Sequence, residues 1–343
     1  MKLPGRINAV RQGSPGGELT IEPVPLPRPG KGEVLVRMHA SPINPSDLAL
    51  LKGGYMERDY PFTPGLEGSG EVVLSGGGVM AGLRVGKQVA CTPNPKGDGT
   101  WAEYMVTAAT RTIPLPRGIS PEQGSMMVVN PLTAIALMKI ASEEGHAALV
   151  NNAAASALGK MLIRLARRSG LPLINVVRRE EQVSSLESLG ADVVLNASDP
   201  GFGEALKQYS SELNATLLLD AVGGDHSSRL LEAAPHNSHL ICYARLSGEP
   251  LQIDPRLVMQ DGKTISGFLL GRWMDTQSLL SKLKLLRQVR KMLPDVLSSP
   301  IRQTLPMDQV DQAIALYTQR MSAGKIILRM NEPLNSTLKN HQE

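Results

Sequence analysis

Only two cysteines, Cys91 and Cys242, occur in 343 residues, and they stand far apart along the chain. So few thiols build neither a disulfide framework nor a four-cysteine zinc site, and the usage suits a reducing compartment. Aromatic residues are scarce as well, at 3%, so aliphatic side chains have to fill the cores. No run of about 18 apolar residues is present, which excludes an ordinary membrane-spanning helix. The first residues, Met1-Lys2-Leu3-Pro4-Gly5, lack the apolar segment of a secretory signal. The chain is therefore expected to be cytoplasmic, with no membrane partner. Its 36 basic and 32 acidic residues are interspersed, without the clustered basic stripe of a nucleic-acid footprint. No nucleic-acid partner is expected, and the small basic excess suits an anionic cofactor.

A length of 343 residues exceeds one ordinary core and predicts two domains, at about 150 residues each. Residues 1 to 117 are rich in Gly and Pro and carry short runs such as Val34-Leu35-Val36-Arg37-Met38 and Gly70-Glu71-Val72-Val73-Leu74. These read as a β-rich domain. From Pro121 onward helices and strands alternate. Ala147–Asn151, Leu173–Val177, Val193–Leu195, Thr216–Asp220 and His239–Tyr243 are short apolar strand candidates. Lys160–Arg168 and Glu180–Leu189 place apolar residues at helical spacing among them. An α/β fold with a doubly wound parallel sheet follows. After Pro255 come a β run, Thr264–Leu270, a basic helix, Gln277–Lys291, and a closing strand, Ile326–Leu328.

A dinucleotide-binding turn needs small residues between a strand and a helix, because a larger side chain would keep the pyrophosphate from the backbone and the helix amides. Asn152-Ala153-Ala154-Ala155-Ser156-Ala157-Leu158-Gly159 stands at that place with a single glycine. Asn152, Ala155, Ser156 and Ala157 are the candidate cofactor contacts; the alternative is a tight turn that holds no ligand. About 20 residues further, where an acid would bind the ribose hydroxyl of NAD, stand Arg178 and Arg179. Two guanidiniums fit a 2′-phosphate, so NADPH is the expected cofactor, against the alternative of a solvated arginine pair.

Several islands now carry a resemblance: Ile43-Asn44-Pro45-Ser46-Asp47, Gly65-Leu66-Glu67-Gly68-Ser69-Gly70, Gly86-Lys87-Gln88-Val89, Gly99-Thr100-Trp101-Ala102-Glu103-Tyr104, Leu189-Gly190-Ala191-Asp192 and Asp220-Ala221-Val222-Gly223-Gly224. Across residues 5 to 330 the sequence resembles the medium-chain dehydrogenase/reductase superfamily. The resemblance implies a GroES-like catalytic domain built from both chain ends, residues 1–120 and 258–343, and a Rossmann domain over 121–257. It implies a dinucleotide clamped between them and a homodimer formed through the edge of the Rossmann sheet. The zinc enzymes of the superfamily carry a histidine ligand where this chain has Leu66 and a cysteine near Asn44. A catalytic zinc takes about three protein ligands, so no metal residue is assigned, and His39, His146, His226, His236 and His239 form no ligand spacing.

Two zinc-free branches remain, the quinone oxidoreductases and the enoyl-thioester or enone reductases, each with a small-molecule substrate. Val129-Asn130-Pro131-Leu132-Thr133-Ala134, Asn152 with Ser156, and Ile174-Asn175-Val176-Val177-Arg178 resemble the enoyl-reductase branch. Gly267-Phe268-Leu269-Leu270-Gly271-Arg272-Trp273 does so as well, except that Leu269 stands where a tryptophan is typical. Tyr55 matches that branch's proton donor, with Tyr60 as its rival; a phenol with pKa about 10 remains protonated at neutral pH. Asn44 is the second candidate catalytic residue, or else it satisfies turn amides beside Pro45. Asp47 reads as a turn carboxylate. Thr133, Val222, Tyr243, Phe268 and Leu270 are expected to touch the cofactor. Lys325 is a further candidate, the alternative being a solvated lysine. A non-catalytic descendant that binds a dinucleotide or RNA is the remaining reading.

Overall fold

The computed structural model describes residues 3–54 and 56–331. The chain forms two compact units, Met1–Val129 with Ser298–Glu343, and Asn130–Leu297. The first begins with β1 (Arg6–Gln12), β2 (Leu19–Pro25), β3 (Glu33–Pro42), β4 (Gly68–Ser75), β5 (Gln88–Cys91), β6 (Tyr104–Ala108) and β7 (Thr112–Pro114). The second holds β8 (Ala148–Asn151), β9 (Leu173–Val177), β10 (Val193–Asn196), β11 (Ala215–Asp220), β12 (His239–Cys242) and β13 (Thr264–Gly267). The chain then returns to the first unit with β14 (Ile301–Pro306) and β15 (Lys325–Arg329).

In the first unit the strands order as β14-β15-β3-β4-β5-β7, with β6 also paired to β3. β3 is buried along nearly its whole length because it pairs with β4, β6 and β15. Its apolar run therefore lacks the alternation of a half-exposed strand. Val34, Val36 and Met38 pack with Val72, Val89, Trp101, Ile326 and Leu328 in the core. The last turn before the closing strand thus brings Lys325, from the far end of the chain, to the same sheet as residues 33–42.

The second unit is a parallel sheet in the order β10-β9-β8-β11-β12-β13, covered by helices such as Val129–Glu143, Ala157–Ser169 and Phe202–Glu212. The order reverses between β8 and β11, the switch point where a doubly wound sheet receives its ligand beyond the carboxyl ends of the strands. The α/β architecture, with a GroES-like β-rich unit and a Rossmann unit, agrees with the expected fold class. The sequence reading differs in three details, the first being that the first boundary falls at 129/130 and not at 120/121. A sixth strand, β13, pairs in parallel with β12 through Leu240 and Ile265. It carries residues 258–297 into the Rossmann unit, so the second boundary falls at 297/298 instead of 257/258. The expected β run Thr264–Leu270 also stops at Gly267, because the helix Leu270–Thr276 follows.

Candidate active site

In the first unit a set of charged and polar groups is sealed from solvent. Asn44, Asp47, Glu67 and Lys325 are each no more than 1% exposed. The helix Pro45–Leu51 starts at Asn44, with proline in its first turn, where a missing N–H costs nothing. Asp47 closes that start: its Oδ2 accepts the Asn44 amide at 2.8 Å and its Oδ1 accepts the Leu66 amide at 2.9 Å. This is the turn role expected of Asp47. Burial raises its pKa from 3.8 to about 7, against the opposing pull of those two amides.

Glu67 accepts from Asn44 Nδ2 at 3.0 Å, from the Val128 amide at 3.1 Å and from the Val129 amide at 2.9 Å. The Lys325 ammonium donates to Asn44 Oδ1, and its charge also lies 5.9 Å from the Tyr317 ring centroid. Asn44 therefore bridges an ammonium and a carboxylate with the two ends of one amide. Burial raises the pKa of Glu67 and lowers that of Lys325, while the attraction between them opposes both shifts. A fully buried lysine corrects the solvated alternative. Glu67 escaped the sequence reading because it sits inside a glycine-rich island; an acid with apolar and glycine neighbours on both sides was the available signal.

The second unit builds its loop at the carboxyl end of β8. Asn152 donates from Nδ2 to Asp220 Oδ1 at 2.6 Å and accepts the Ala221 amide at 2.6 Å. Asp220 Oδ1 also receives the Val222 and Gly223 amides, at 2.8 and 3.0 Å. The loop after β8 is thereby tied to the loop after β11, on the two sides of the switch point. Ser156 caps the helix Ala157–Ser169 by accepting the Gly159 amide at 3.1 Å. A Cβ on Gly159 would lie 2.3 Å from the Ala154 carbonyl oxygen, so the loop's one glycine is required for close packing of helix on turn. Ala153 takes a positive φ of 49°, a conformation usually left to glycine.

Arg178 is exposed immediately beyond β9. Arg179 starts the next helix and pairs through Nε with Glu181 at 3.2 Å. Tyr243 follows β12 and donates to Asn151 Oδ1 at 3.4 Å; burial raises the pKa of its phenol. Thus Asn152, Ala155, Ser156, Ala157, Val222 and Tyr243 gather at the carboxyl ends of β8, β11 and β12. Thr133 is buried in the helix Val129–Glu143. Phe268 lies past β13, its amide bonded to the Cys242 carbonyl, and Leu270 opens the following helix. Tyr55 lies outside the described residues.

A family model named alcohol dehydrogenase GroES-like domain matches residues 30–117, and one named zinc-binding dehydrogenase matches 157–284. Among curated proteins, the chain is 32% identical over 257 residues to the Caenorhabditis elegans mitochondrial enoyl-(acyl-carrier-protein) reductase, covering 73% of this chain and 72% of that one. The Mus musculus protein of the same name is 28% identical, with 95% and 90% covered. A solved Mesorhizobium loti structure, provisionally named NADPH:quinone reductase, superposes with a TM-score of 0.86 at 33% identity, covering 96% and 100%. The chain belongs to the medium-chain dehydrogenase/reductase superfamily, in its enoyl reductase and quinone oxidoreductase branch. Two positions where the resemblance implies zinc ligands in the superfamily's zinc enzymes are occupied differently here. Leu66 offers no donor atom, and Asn44, near the place of a cysteine ligand, has its carbonyl engaged by the Lys325 ammonium.

Proposed function

We infer that this chain is an NADPH-dependent reductase of an activated C=C bond, in an enoyl thioester or a small enone. The carrying observation is the small-residue loop on β8 beside an exposed Arg178 at the end of the neighbouring β9. The loop fits a pyrophosphate: alanines line it, Gly159 tolerates no side chain, and Ser156 fixes the start of a helix whose dipole favours an anion. The Arg178 guanidinium, joined by Arg179, suits the 2′-phosphate. Ala155, Ala157, Val222, Tyr243, Thr133, Phe268 and Leu270 would contribute contacts around the bound dinucleotide.

When bound, NADPH supplies the hydride that the β-carbon of the substrate accepts. The protein then has to hold a developing enolate oxygen and deliver a proton to the α-carbon. Tyr55 is the proposed donor and Asn44 a proposed positioning group, its amide orientation fixed from both ends by Glu67 and Lys325. The chemistry requires no metal from the first unit, where Leu66 lacks a donor and a buried ammonium would repel a divalent cation. The reading is supported by the names of the curated relatives, whereas the Mesorhizobium loti neighbour favours quinone reduction as the second reading.

Among the described residues no helix is long and apolar enough to cross a membrane. We place the protein in a reducing compartment, consistent with free Cys91 and Cys242. The cytoplasm is the sequence-based assignment and the mitochondrion the one suggested by the relatives' names; fractionation separates them. A homodimer through the sheet edge completes the reading.

The test is oxidation of NADPH and NADH with a crotonyl thioester, a small enone and a benzoquinone. The expected result is turnover of an alkene with NADPH preferred roughly tenfold or more, a difference of about 1.4 kcal/mol. Brisk quinone reduction with neither alkene consumed overturns the reading in favour of the second. Absence of NADPH binding removes both.

A further inference from the structure

Two histidines that lie 93 positions apart in the sequence, His146 and His239, meet across one carboxylate. Glu144 Oε2 is 2.9 Å from His146 Nε2 and 2.9 Å from His239 Nδ1. The candidate ligand atoms of the three side chains all lie within 4.8 Å of one another. We propose that Glu144, His146 and His239 form a binding site for a divalent transition-metal ion of the zinc class, at the amino ends of the Rossmann strands.

The placement is rigid for a surface site. Glu144 follows the helix Val129–Glu143, and its amide bonds the Ile140 carbonyl at 2.9 Å. His146 precedes β8, and its amide bonds the Ala141 carbonyl at 3.0 Å. His239 is the first residue of β12. The two imidazole side chains are only 10% and 19% exposed, while that of Glu144 is 41% exposed. Partial burial of nitrogen ligands beside an accessible carboxylate leaves the ion a route in.

The outward nitrogens of both rings are already held. His146 Nδ1 lies 2.8 Å from Thr216 Oγ1, and His239 Nε2 lies 2.7 Å from Ser266 Oγ. Metal-bound histidines characteristically give their other N–H to an oxygen acceptor, which fixes ring orientation and tautomer. With no ion, each ring can donate inward to Glu144 and accept from its hydroxyl. With an ion, each donates outward, and the hydroxyl accepts. A hydroxyl serves as donor or acceptor, so the Thr216 and Ser266 contacts can be kept whether the inward nitrogens face the carboxylate or an ion. The nitrogen and carboxylate oxygen set suits zinc, whose three protein ligands leave a fourth position open. Glu144 and His239 also line a cavity of about 420 Å³ that Phe268, Arg272 and Trp273 help enclose, and the open position would be reached from there.

The ligand set does not depend on the reductase reading, although Phe268, a proposed cofactor contact, also lines the adjoining cavity. The loop that would hold the dinucleotide follows the last residue of β8, whereas His239 begins β12, so the two sites belong to opposite ends of the strands. An ion here ties the turn before β8 to the start of β12 and would raise the stability of the Rossmann unit.

The experiment uses tag-free protein stripped with a chelator, then dialysed against zinc alone, with metal content measured by elemental analysis. One zinc per chain is expected, and cobalt in its place should give the visible absorption of a tetrahedral site. His239→Gln and His146→Gln should each abolish that uptake, and Ser266→Ala should weaken it about ten- to a hundredfold. Thermal unfolding in chelator checks that each variant folds; Glu144→Gln, at an accessible position, carries the test if a histidine variant does not. The proposal is overturned if zinc is not taken up stoichiometrically, or if uptake is unchanged in Glu144→Gln and His239→Gln.

Discussion

Asn44 shows how much of the first unit depends on single side chains. Its amide carries a hydrogen bond from a buried ammonium at one end and donates to a buried carboxylate at the other. Glu67 and Lys325 are joined through this amide and attract each other, so, as in a buried ion pair, losing one leaves the other uncompensated. Glu67→Gln and Lys325→Met should each cost about 3–5 kcal/mol in urea unfolding. The double variant should cost less than the sum, because Glu67 and Lys325 no longer leave each other uncompensated, although Asp47 stays buried beside them. If the two losses add to within about 0.5 kcal/mol, Glu67 and Lys325 do not compensate each other. This pairing was not legible in the sequence. Lys325 lies at the far end of the chain from Asn44, and only the register of β15 on β3 brings them together.

At the scale of one element, the β8 loop was legible by position and misleading by composition. A strand, a run of small residues and an amphipathic helix marked it, yet most glycines of the usual motif were missing. The structure explains both halves. Gly159 is retained where backbone meets side-chain space, and Ala153 adopts the left-handed conformation without glycine's freedom. Opposite effects follow. Gly159→Ala pushes a methyl group against the Ala154 carbonyl, a rigid neighbour, and should cost about 1–3 kcal/mol while raising the KM for NADPH. Ala153→Gly should relieve about 1 kcal/mol of backbone strain and leave that KM near its starting value. Thermal melts and NADPH titration of the two variants check this; an unchanged Gly159→Ala on both counts would mean that the close approach imposes no constraint. The carboxylate that links this loop to the next one, Asp220, was visible only as part of an island, since its acceptor role depends on where the β11 turn folds back.

For the whole molecule, the two-unit organisation and the doubly wound sheet were legible because periodicity and strand spacing are local signals. The assignment of residues 258–297 was not, because a four-residue strand decides it. Thr264–Gly267 is exposed throughout, unlike the fully buried β8 and β9, so it lacks the apolar signature of its neighbours and joins the sheet only through pairing with β12. That same exposure has a consequence at the level of assembly. An edge strand with unpaired amides and carbonyls is a template for another strand, and Val258, Met259, Leu279 and Leu280 leave further apolar surface exposed in this unit, at 44%, 74%, 72% and 80%. If β13 is the contact in the proposed homodimer, sedimentation equilibrium should give about twice the chain mass of 36.8 kDa. Ile265→Lys, which places a charge on that edge, should shift the protein toward monomer while its thermal transition persists, because lysine on an edge strand discourages pairing. A wild-type protein that sediments at the mass of a single chain through the micromolar range would rule out the dimer, and a dimer indifferent to Ile265→Lys would place the contact away from β13.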